Sequence, residues 1–204
     1  MKKMAKIFLL PGASGQTTFW QPLIDLLPSK YEKQIIAYPG FGNVLKNDDL
    51  KNFDDLQELV IHQINQKSIL IAQSMGGIFA VKKTLERPDL IQGLVLIATS
   101  GGINLTPFNV QDWRTEYQQY YPQYPDWFMT NQVDYEEFLA QINVPILLIW
   151  GDCDPISPIS VGQYLHSKLK NATLHIIEGG KHDLAEKRAN QVSVHINQFL
   201  EHLV

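Results

Sequence analysis

The chain has 204 residues, of which 45% are hydrophobic, 19% charged and 10% aromatic, and this composition excludes disordered, collagen-like and coiled-coil proteins. A chain of this length can bury roughly 70% of its unfolded surface, so one large core is expected. Seventeen lysines and arginines stand against twenty-one acidic residues, giving a formal net charge of −4. No general basic field is available to attract phosphates, and nucleic acid is not an expected partner.

The single cysteine, Cys153, can form neither an internal disulfide nor a thiolate metal cluster, so we expect a reducing, cytoplasmic location. The first six residues are basic like the start of a signal peptide, but the apolar run that follows covers only residues 7–10. A secretory signal needs about 7 to 15 apolar residues and a membrane span about 20. The sequence predicts neither segment, and we expect no membrane partner.

Short apolar runs that end in small or turn-forming residues predict six buried strands, at residues 6–10, 34–37, 68–72, 93–98, 146–150 and 173–177. None alternates cleanly between apolar and polar residues, which indicates a parallel sheet covered on both faces. Helical patterns lie between most of them, at residues 53–65, 76–86, 161–169 and 185–203. The alternation predicts a single doubly wound α/β domain over residues 1–204, with ligands beyond the carboxyl ends of the strands. Residues 101–143 are too long for an ordinary connection and predict an inserted cap.

The strand at residues 68–72 continues into Gln-Ser-Met-Gly-Gly, with small residues two positions on each side of Ser74. A serine on a tight strand-to-helix turn projects its hydroxyl clear of the sheet, as a nucleophile must. Serine is also a favoured helix N-cap, and the five residues alone leave that alternative open.

A serine nucleophile needs a histidine base that a carboxylate holds in place. Of the six histidines only His182 follows a predicted strand, in a loop with two glycines, whereas the others lie within predicted helices or strands. Two acids, Asp152 and Asp154, follow the strand at residues 146–150, and we choose Asp154 because two prolines stiffen the loop after it. Asp183 is excluded because adjacent side chains point apart.

Two backbone N–H groups must stabilise the oxyanion, one just after the nucleophile and one from a loop after an early strand. Met75 and Ala13 occupy these two positions. A glycine loop after a strand is also found in nucleotide sites, but the spacing of Gly12 and Gly15 matches neither phosphate-binding fingerprint and no lysine follows.

Over nearly its whole length the chain resembles the α/β-hydrolases, among them small carboxylesterases such as the pimeloyl-carrier-protein methyl esterases. The resemblance is carried by Leu-Leu-Pro-Gly-Ala-Ser-Gly, Tyr-Pro-Gly-Phe-Gly, Ala-Gln-Ser-Met-Gly-Gly, Val-Pro-Ile-Leu-Leu-Ile-Trp-Gly with Asp-Pro, and Gly-Gly-Lys-His. It implies a sheet of about six parallel strands with a short helical cap, and a Ser-His-Asp mechanism without cofactor or metal. Three positions depart from the usual pattern: Pro11 replaces a histidine, and Ala72 and Lys181 replace glycines.

The predicted cap is both aromatic and acidic. Residues 101–140 hold ten of the chain's twenty-one aromatic residues, and six acidic residues against Arg114 alone. Most of these rings are expected to pack the cap onto the body, while Trp113 and Trp127, together with Trp20 behind the first loop, are predicted to line the substrate pocket. An acidic cap would repel an acidic carrier protein, which favours a small, neutral, largely apolar ester as substrate.

The leading hypothesis is therefore a serine hydrolase of carboxylic esters. Hydrolysis of a thioester, a lactone or a carbon–carbon bond would use the same groups. A catalytically silent binding module is the alternative of a different class.

Overall fold

The computed structural model describes residues 5–203. Their six strands form one sheet in the order β2-β1-β3-β4-β5-β6, with every neighbouring pair parallel. The strands are β1 (Lys6–Leu10), β2 (Lys33–Ile35), β3 (Ser68–Gln73), β4 (Ile91–Ile97), β5 (Ile146–Gly151) and β6 (Ala172–Ile177). The predicted α/β fold with six parallel strands is confirmed.

The helices are α1 (Gln21–Ile24), α2 (Phe53–Gln63), α3 (Gly76–Glu86), α4 (Arg114–Tyr120), α5 (Trp127–Thr130), α6 (Ile159–Lys168), α7 (Leu184–Lys187) and α8 (Ala189–His202). Short 3₁₀ segments cover Thr18–Trp20, Pro88–Leu90, Thr106–Phe108 and Glu136–Gln141. Among residues 5–203, every helix is too short or too polar to cross a membrane.

Side chains that alternate along the strands build a core on each face of the sheet. In β1, Phe8 and Leu10 pack with α2, α3 and α6, whereas Ile7 and Leu9 pack with α1, α7 and α8. Burying each such side chain contributes about 1.5–3 kcal/mol. Both faces are covered, which explains why the strands read as continuous apolar runs.

The predicted helix at residues 185–203 is wrong in one respect, because it is divided at Arg188. The backbone there (φ −120°, ψ 26°) is not helical, and the bend lets both α7 and α8 contact α1. No glycine or proline marks this break in the sequence. β2 is shorter than predicted and begins one residue earlier, because this edge strand pairs with β1 over only three residues.

Residues 101–143, the cap segment, connect β4 to β5 and contain α4 and α5. Aromatic packing joins this segment to the body: Phe128 of α5 lies 4.8 Å from Phe41 between ring centroids, and Tyr124 lies 5.5 Å from Phe41. The segment therefore lies over the loops that follow the early strands.

Candidate active site

Ser74 occupies a strained turn between β3 and α3. Its φ of +54° lies in the left-handed region, which costs a non-glycine residue about 1–3 kcal/mol. Two bonds hold the turn: the Ser74 N–H donates to Ile97 O at 3.0 Å, and the Thr99 hydroxyl donates to Ser74 O at 2.5 Å. Ala98, at the end of β4, also has a positive φ, of +43°. The end of β4 and the segment just after it thus fix the backbone of Ser74 from one side.

The two glycines after the serine are required by close backbone approach. A Cβ at Gly76 would lie 2.3 Å from Leu10 O, and one at Gly77 would lie 2.2 Å from the Thr99 hydroxyl oxygen. By contrast, the methyl group of Ala72 packs in the core on the α3 face of the sheet. The departure from the family pattern therefore falls at a position where a methyl group is accommodated.

The Ser74 side chain does not cap α3, so the N-cap alternative is wrong. Met75 is the N-cap residue of that helix and makes no side-chain cap bond. The Ser74 hydroxyl oxygen instead lies 2.9 Å from His182 Nε2. In this strand-to-helix turn the Ser74 hydroxyl points away from the N-terminus of α3 and toward the loop after β6.

The structure brings together the three predicted residues Ser74, His182 and Asp154. On the other side of the imidazole, His182 Nδ1 lies 2.8 Å from Asp154 Oδ2. The Asp154 side chain has no exposed surface, whereas that of His182 is 23% exposed. The second carboxylate oxygen, Oδ1, accepts the N–H groups of Ile156 at 2.9 Å and Ser157 at 3.0 Å. The carboxylate is thus fixed by its own loop and aimed at the histidine.

The competing acid, Asp152, is exposed and takes no part in this arrangement. The Asp152 carboxylate forms a hydrogen bond with the thiol of the neighbouring Cys153. This bond and the negative charge of the carboxylate raise the pKa of that thiol. The Cys153 N–H donates to Gly180 O at 2.9 Å, which joins the turn containing Asp152 to the loop that carries His182. Between the two acids, geometry selects Asp154.

Gln73, which sequence reasoning missed, ties the histidine loop to the serine strand. β3 and β6 are separated by two strands, so the loop that carries His182 must reach back about 14 Å across the sheet. The Gln73 amide nitrogen donates to His182 O at 2.6 Å, and its oxygen accepts the Ala185 N–H at 3.1 Å. In the sequence Gln73 is only the polar residue that follows the apolar run at residues 69–72, and this position does not indicate its partners.

The predicted oxyanion donors, Ala13 and Met75, border the same cavity as Ser74 and His182. Within residues 5–203 neither of their backbone N–H groups has a hydrogen-bond acceptor. Two unpaired amides beside a nucleophilic oxygen are what an oxyanion site requires. The neighbouring Pro11 accepts the Tyr38 hydroxyl at its carbonyl oxygen, 2.8 Å away.

The cavity has a volume of about 720 Å³, within the usual range for small-molecule sites. Five aromatic rings border it: Phe19 comes from the segment before α1, and the other four come from the cap segment, namely Trp113, Tyr117, Tyr120 and Tyr121. A second cavity of about 360 Å³ shares Met75, Ser100, Leu105 and Trp113 with the first. Trp113 and these neighbours therefore form a partition between two spaces.

Of the three tryptophans predicted for the pocket, only Trp113 borders it. Trp20 is wrong, because it is fully buried in the core beside α1 and α7, and its neighbour Phe19 borders the cavity instead. Trp127 is also wrong, because its ring packs 5.9 Å from Phe41. Adjacent residues on a short helix point in different directions, and the sequence does not say which faces inward.

Charged groups border the cavity as well. Glu116 from α4, and Lys181 and Asp183 on either side of His182, contribute to its lining. Lys181 is exposed, so this departure from the family pattern adds a flexible cation at the cavity's edge. Among residues 5–203, no group of three or more His, Cys, Asp or Glu side chains could hold a metal ion.

Comparison with known proteins places these features in a family. Residues 37–134 match a family profile described as "Serine aminopeptidase, S33" (Hydrolase_4), and residues 115–203 match one described as "TAP-like protein" (Abhydrolase_4). The uncharacterized hydrolase YugF of Bacillus subtilis is 26% identical, over 89% of this chain and 85% of that protein. A pimeloyl-[acyl-carrier protein] methyl ester esterase of Aliivibrio salmonicida is 19% identical, over 96% of this chain and 92% of that protein.

The structure of a thermophilic esterase from Thermogutta terrifontis superposes with a TM-score of 0.77 at 14% identity, over 98% of this chain and 91% of that one. At this identity the superposition demonstrates the shared fold. Together, the sheet topology and these similarities show that the chain belongs to the α/β-hydrolase superfamily and is an esterase- or lipase-like hydrolase.

Proposed function

We propose that the protein is a serine hydrolase that cleaves a carboxylic ester of a small, largely apolar substrate through an acyl-enzyme intermediate. The observation that carries the proposal is the unbroken line of contacts from Ser74 Oγ to His182 and on to the buried carboxylate of Asp154. A hydroxyl in such a line can be deprotonated as it attacks, which an isolated serine cannot achieve at neutral pH.

The proposed reaction assigns one step to each of these groups. Ser74 Oγ attacks the ester carbonyl carbon while its proton passes to His182 Nε2, and Asp154 stabilises the imidazolium that forms. The backbone N–H groups of Ala13 and Met75 donate to the oxyanion. The tetrahedral intermediate then expels the alcohol, which takes the proton from His182. A water molecule, deprotonated by the same imidazole, attacks the acyl-enzyme, releases the carboxylic acid and regenerates the Ser74 hydroxyl.

The lining of the cavity supports a largely apolar substrate, because aromatic and aliphatic side chains make up about half of it. The cap segment supports a neutral substrate. Its six acidic residues outnumber its single arginine, and the resulting net negative charge repels anionic partners. An acidic carrier protein is therefore disfavoured as a partner of this chain, although the A. salmonicida relative is named for an acyl-carrier protein substrate.

Labelling with a fluorophosphonate probe tests the nucleophile. We expect the folded wild type to carry one adduct on Ser74, and Ser74→Ala and His182→Ala to lose both labelling and ester turnover. Ser193→Ala is a matched control, because it removes a buried hydroxyl that bonds only Asn190 O, at 3.0 Å. A folded wild type without a Ser74 adduct would refute the hydrolase mechanism and favour a silent binding module.

Substrate class is tested with p-nitrophenyl esters of increasing chain length, compared with a thioester, a lactone, a carbon–carbon bond substrate and an amino-acid p-nitroanilide. We expect the short and medium esters to give the highest kcat/KM. A methyl ester on an acyl-carrier protein that is cleaved much faster than the free esters would contradict the proposed preference for small neutral substrates.

A further inference from the structure

Tyr117 connects the cap segment to the loop that carries a proposed oxyanion donor. It is the one buried residue of α4, with 8% of its surface exposed. Its hydroxyl donates to the carbonyl oxygen of Ala13 at 2.7 Å, across 104 residues of sequence. No part of the proposed reaction uses this bond.

Four successive carbonyl groups of this loop each accept a hydrogen bond. Pro11 O accepts the Tyr38 hydroxyl at 2.8 Å, Gly12 O accepts the Gly15 N–H at 3.0 Å, and Ala13 O accepts the Tyr117 hydroxyl. The fourth, Ser14 O, accepts the Gly42 N–H at 3.0 Å. Because each peptide unit is planar, fixing its carbonyl also fixes the direction of the N–H in the same unit. The Ala13 N–H shares its unit with Gly12 O, so the bond at Gly12 also polarises that donor.

Of these four bonds, three come from the body of the protein or from the loop itself, and only the bond to Ala13 O comes from the cap segment. Tyr38 follows β2 and is fully buried, and Gly15 belongs to the loop itself. Removal of the Tyr117 bond would leave the peptide unit after Ala13 without a hydrogen bond at its own carbonyl, while Ser14 O, the next carbonyl, would still accept the Gly42 N–H at 3.0 Å. The unit after Ala13 could then rotate within the limits set by packing and by the bonds on either side of it.

The Tyr117 side chain is suited to a fixed position. Its ring packs edge-to-face on Trp113, with centroids 5.2 Å apart, and against Tyr121 at 5.3 Å. Burial, with smaller effects from Tyr124 and Tyr121, raises the pKa of Tyr117 well above its ordinary value. The hydroxyl therefore stays protonated and remains a donor at all pH values at which a histidine base works.

We propose that Tyr117 is a positioning residue for transition-state stabilisation: its hydroxyl holds the peptide unit after Ala13 and thereby steadies the backbone of Ala13, whose own N–H donates to the developing oxyanion. The inference rests on the proposed function. It makes the cap segment part of the catalytic apparatus, because α4 must be seated on the body for the oxyanion site to be complete.

The test is Tyr117→Phe, which removes the hydroxyl and keeps the ring that borders the cavity. Loss of a whole oxyanion donor costs about 10²–10³ in kcat, so a donor that is present but less well aligned is expected to cost about tenfold. We expect KM for p-nitrophenyl butyrate to change less than about twofold, because substrate binding in the ground state does not need the oxyanion donors.

Tyr135→Phe is the matched control. The Tyr135 hydroxyl also joins the cap segment to the body, since it accepts a hydrogen bond from the Gln57 side chain at 2.9 Å, but Tyr135 borders neither cavity. Both variants lose one such bond, so their thermal unfolding temperatures should fall by similar amounts, while only Tyr117→Phe should lose kcat. A trifluoromethyl ketone that forms a tetrahedral adduct with Ser74 should bind Tyr117→Phe about tenfold more weakly, in parallel with kcat.

Each outcome decides the matter. If the wild type turns over esters but Tyr117→Phe has unchanged kcat and unchanged ketone affinity, the inference is overturned and the proposed function stands. The same holds if Tyr117→Phe changes only KM. An equal loss of kcat in Tyr135→Phe would show that cap seating in general is responsible, which also overturns it. A wild type without ester turnover or Ser74 labelling would defeat the proposed function, and the inference with it.

Discussion

Gln73 offers a direct test of how the loop carrying His182 is held over the sheet. Gln73→Met keeps an unbranched side chain of similar length and removes both polar groups of the amide. The variant therefore loses the bond to His182 O at 2.6 Å and the bond from the Ala185 N–H at 3.1 Å, with little change in packing.

The size of the effect follows from burial. Gln73 is 3% exposed and Ala185 is fully buried, so the Ala185 N–H is left without an acceptor in an apolar setting. Two lost hydrogen bonds, together with one buried unpaired donor, lower the free energy of unfolding by about 2–4 kcal/mol. In a domain of this size the unfolding temperature should fall by about 4–16 °C. The His182 loop is also released on one side, and small misplacements of a catalytic group cost about 10- to 100-fold in kcat.

Urea unfolding and ester kinetics, measured on the same preparations, provide the assay. Gln57→Met is the control, because Gln57 is equally buried at 5% exposure but bonds Tyr135 rather than the histidine loop. It should lose about 1 kcal/mol of stability and keep the wild-type kcat. If Gln73→Met were no less stable than Gln57→Met, or retained full kcat, the two hydrogen bonds of the Gln73 amide would not be what holds the His182 loop in place.

Asp154→Asn should lower kcat by about 10³–10⁴-fold, whereas Asp152→Asn should change it less than about threefold; a large loss only in the second would reverse the choice of acid. Trp113→Ala joins the two cavities that this ring separates, so kcat/KM for p-nitrophenyl octanoate relative to acetate should rise by about tenfold; an unchanged ratio would mean that the ring does not limit chain length. Burial and the ring of His175, stacked at a centroid distance of 4.2 Å, lower the pKa of His195. The imidazole of His195 is therefore protonated more readily in the unfolded chain than in the folded one, and stability is lost as pH falls below about 6.5. His195→Gln should flatten that decline in urea unfolding between pH 7.5 and 5.5, and an unaltered slope would exclude His195 as its source.

The parts of the fold that are local in sequence could be predicted. The apolar runs predict the strands because the central strands, β1, β3, β4 and β5, are buried on both faces. The chain order of Ser74, Asp154 and His182 could be predicted for a related reason: in a parallel sheet the carboxyl ends of all strands meet at one edge. Their placement follows from the sequence, and their catalytic roles stay a proposal.

The missed features depend on distant partners. Gln73 contacts a carbonyl 109 residues away, and Tyr117 one that is 104 residues away, so no local pattern marks either side chain. The error at Trp20 has another source: the sequence shows an aromatic pair, but only the packed core decides that the larger ring of the pair turns inward. The helical pattern is interrupted at Arg188, although no glycine or proline lies in residues 184–192 to indicate a break.

The left-handed backbone at Ser74 and Ala98 also bears on how this protein can be made more stable. Two non-glycine residues with positive φ at the ends of adjacent central strands cost about 2–6 kcal/mol together, a large share of the 5–15 kcal/mol or so by which a typical domain is stable. A screen that selects only for heat resistance would therefore tend to relax these two turns, and with them the direction in which the serine hydroxyl points. Thermostable variants that keep their activity are better sought on the surface and in loops remote from this edge of the sheet.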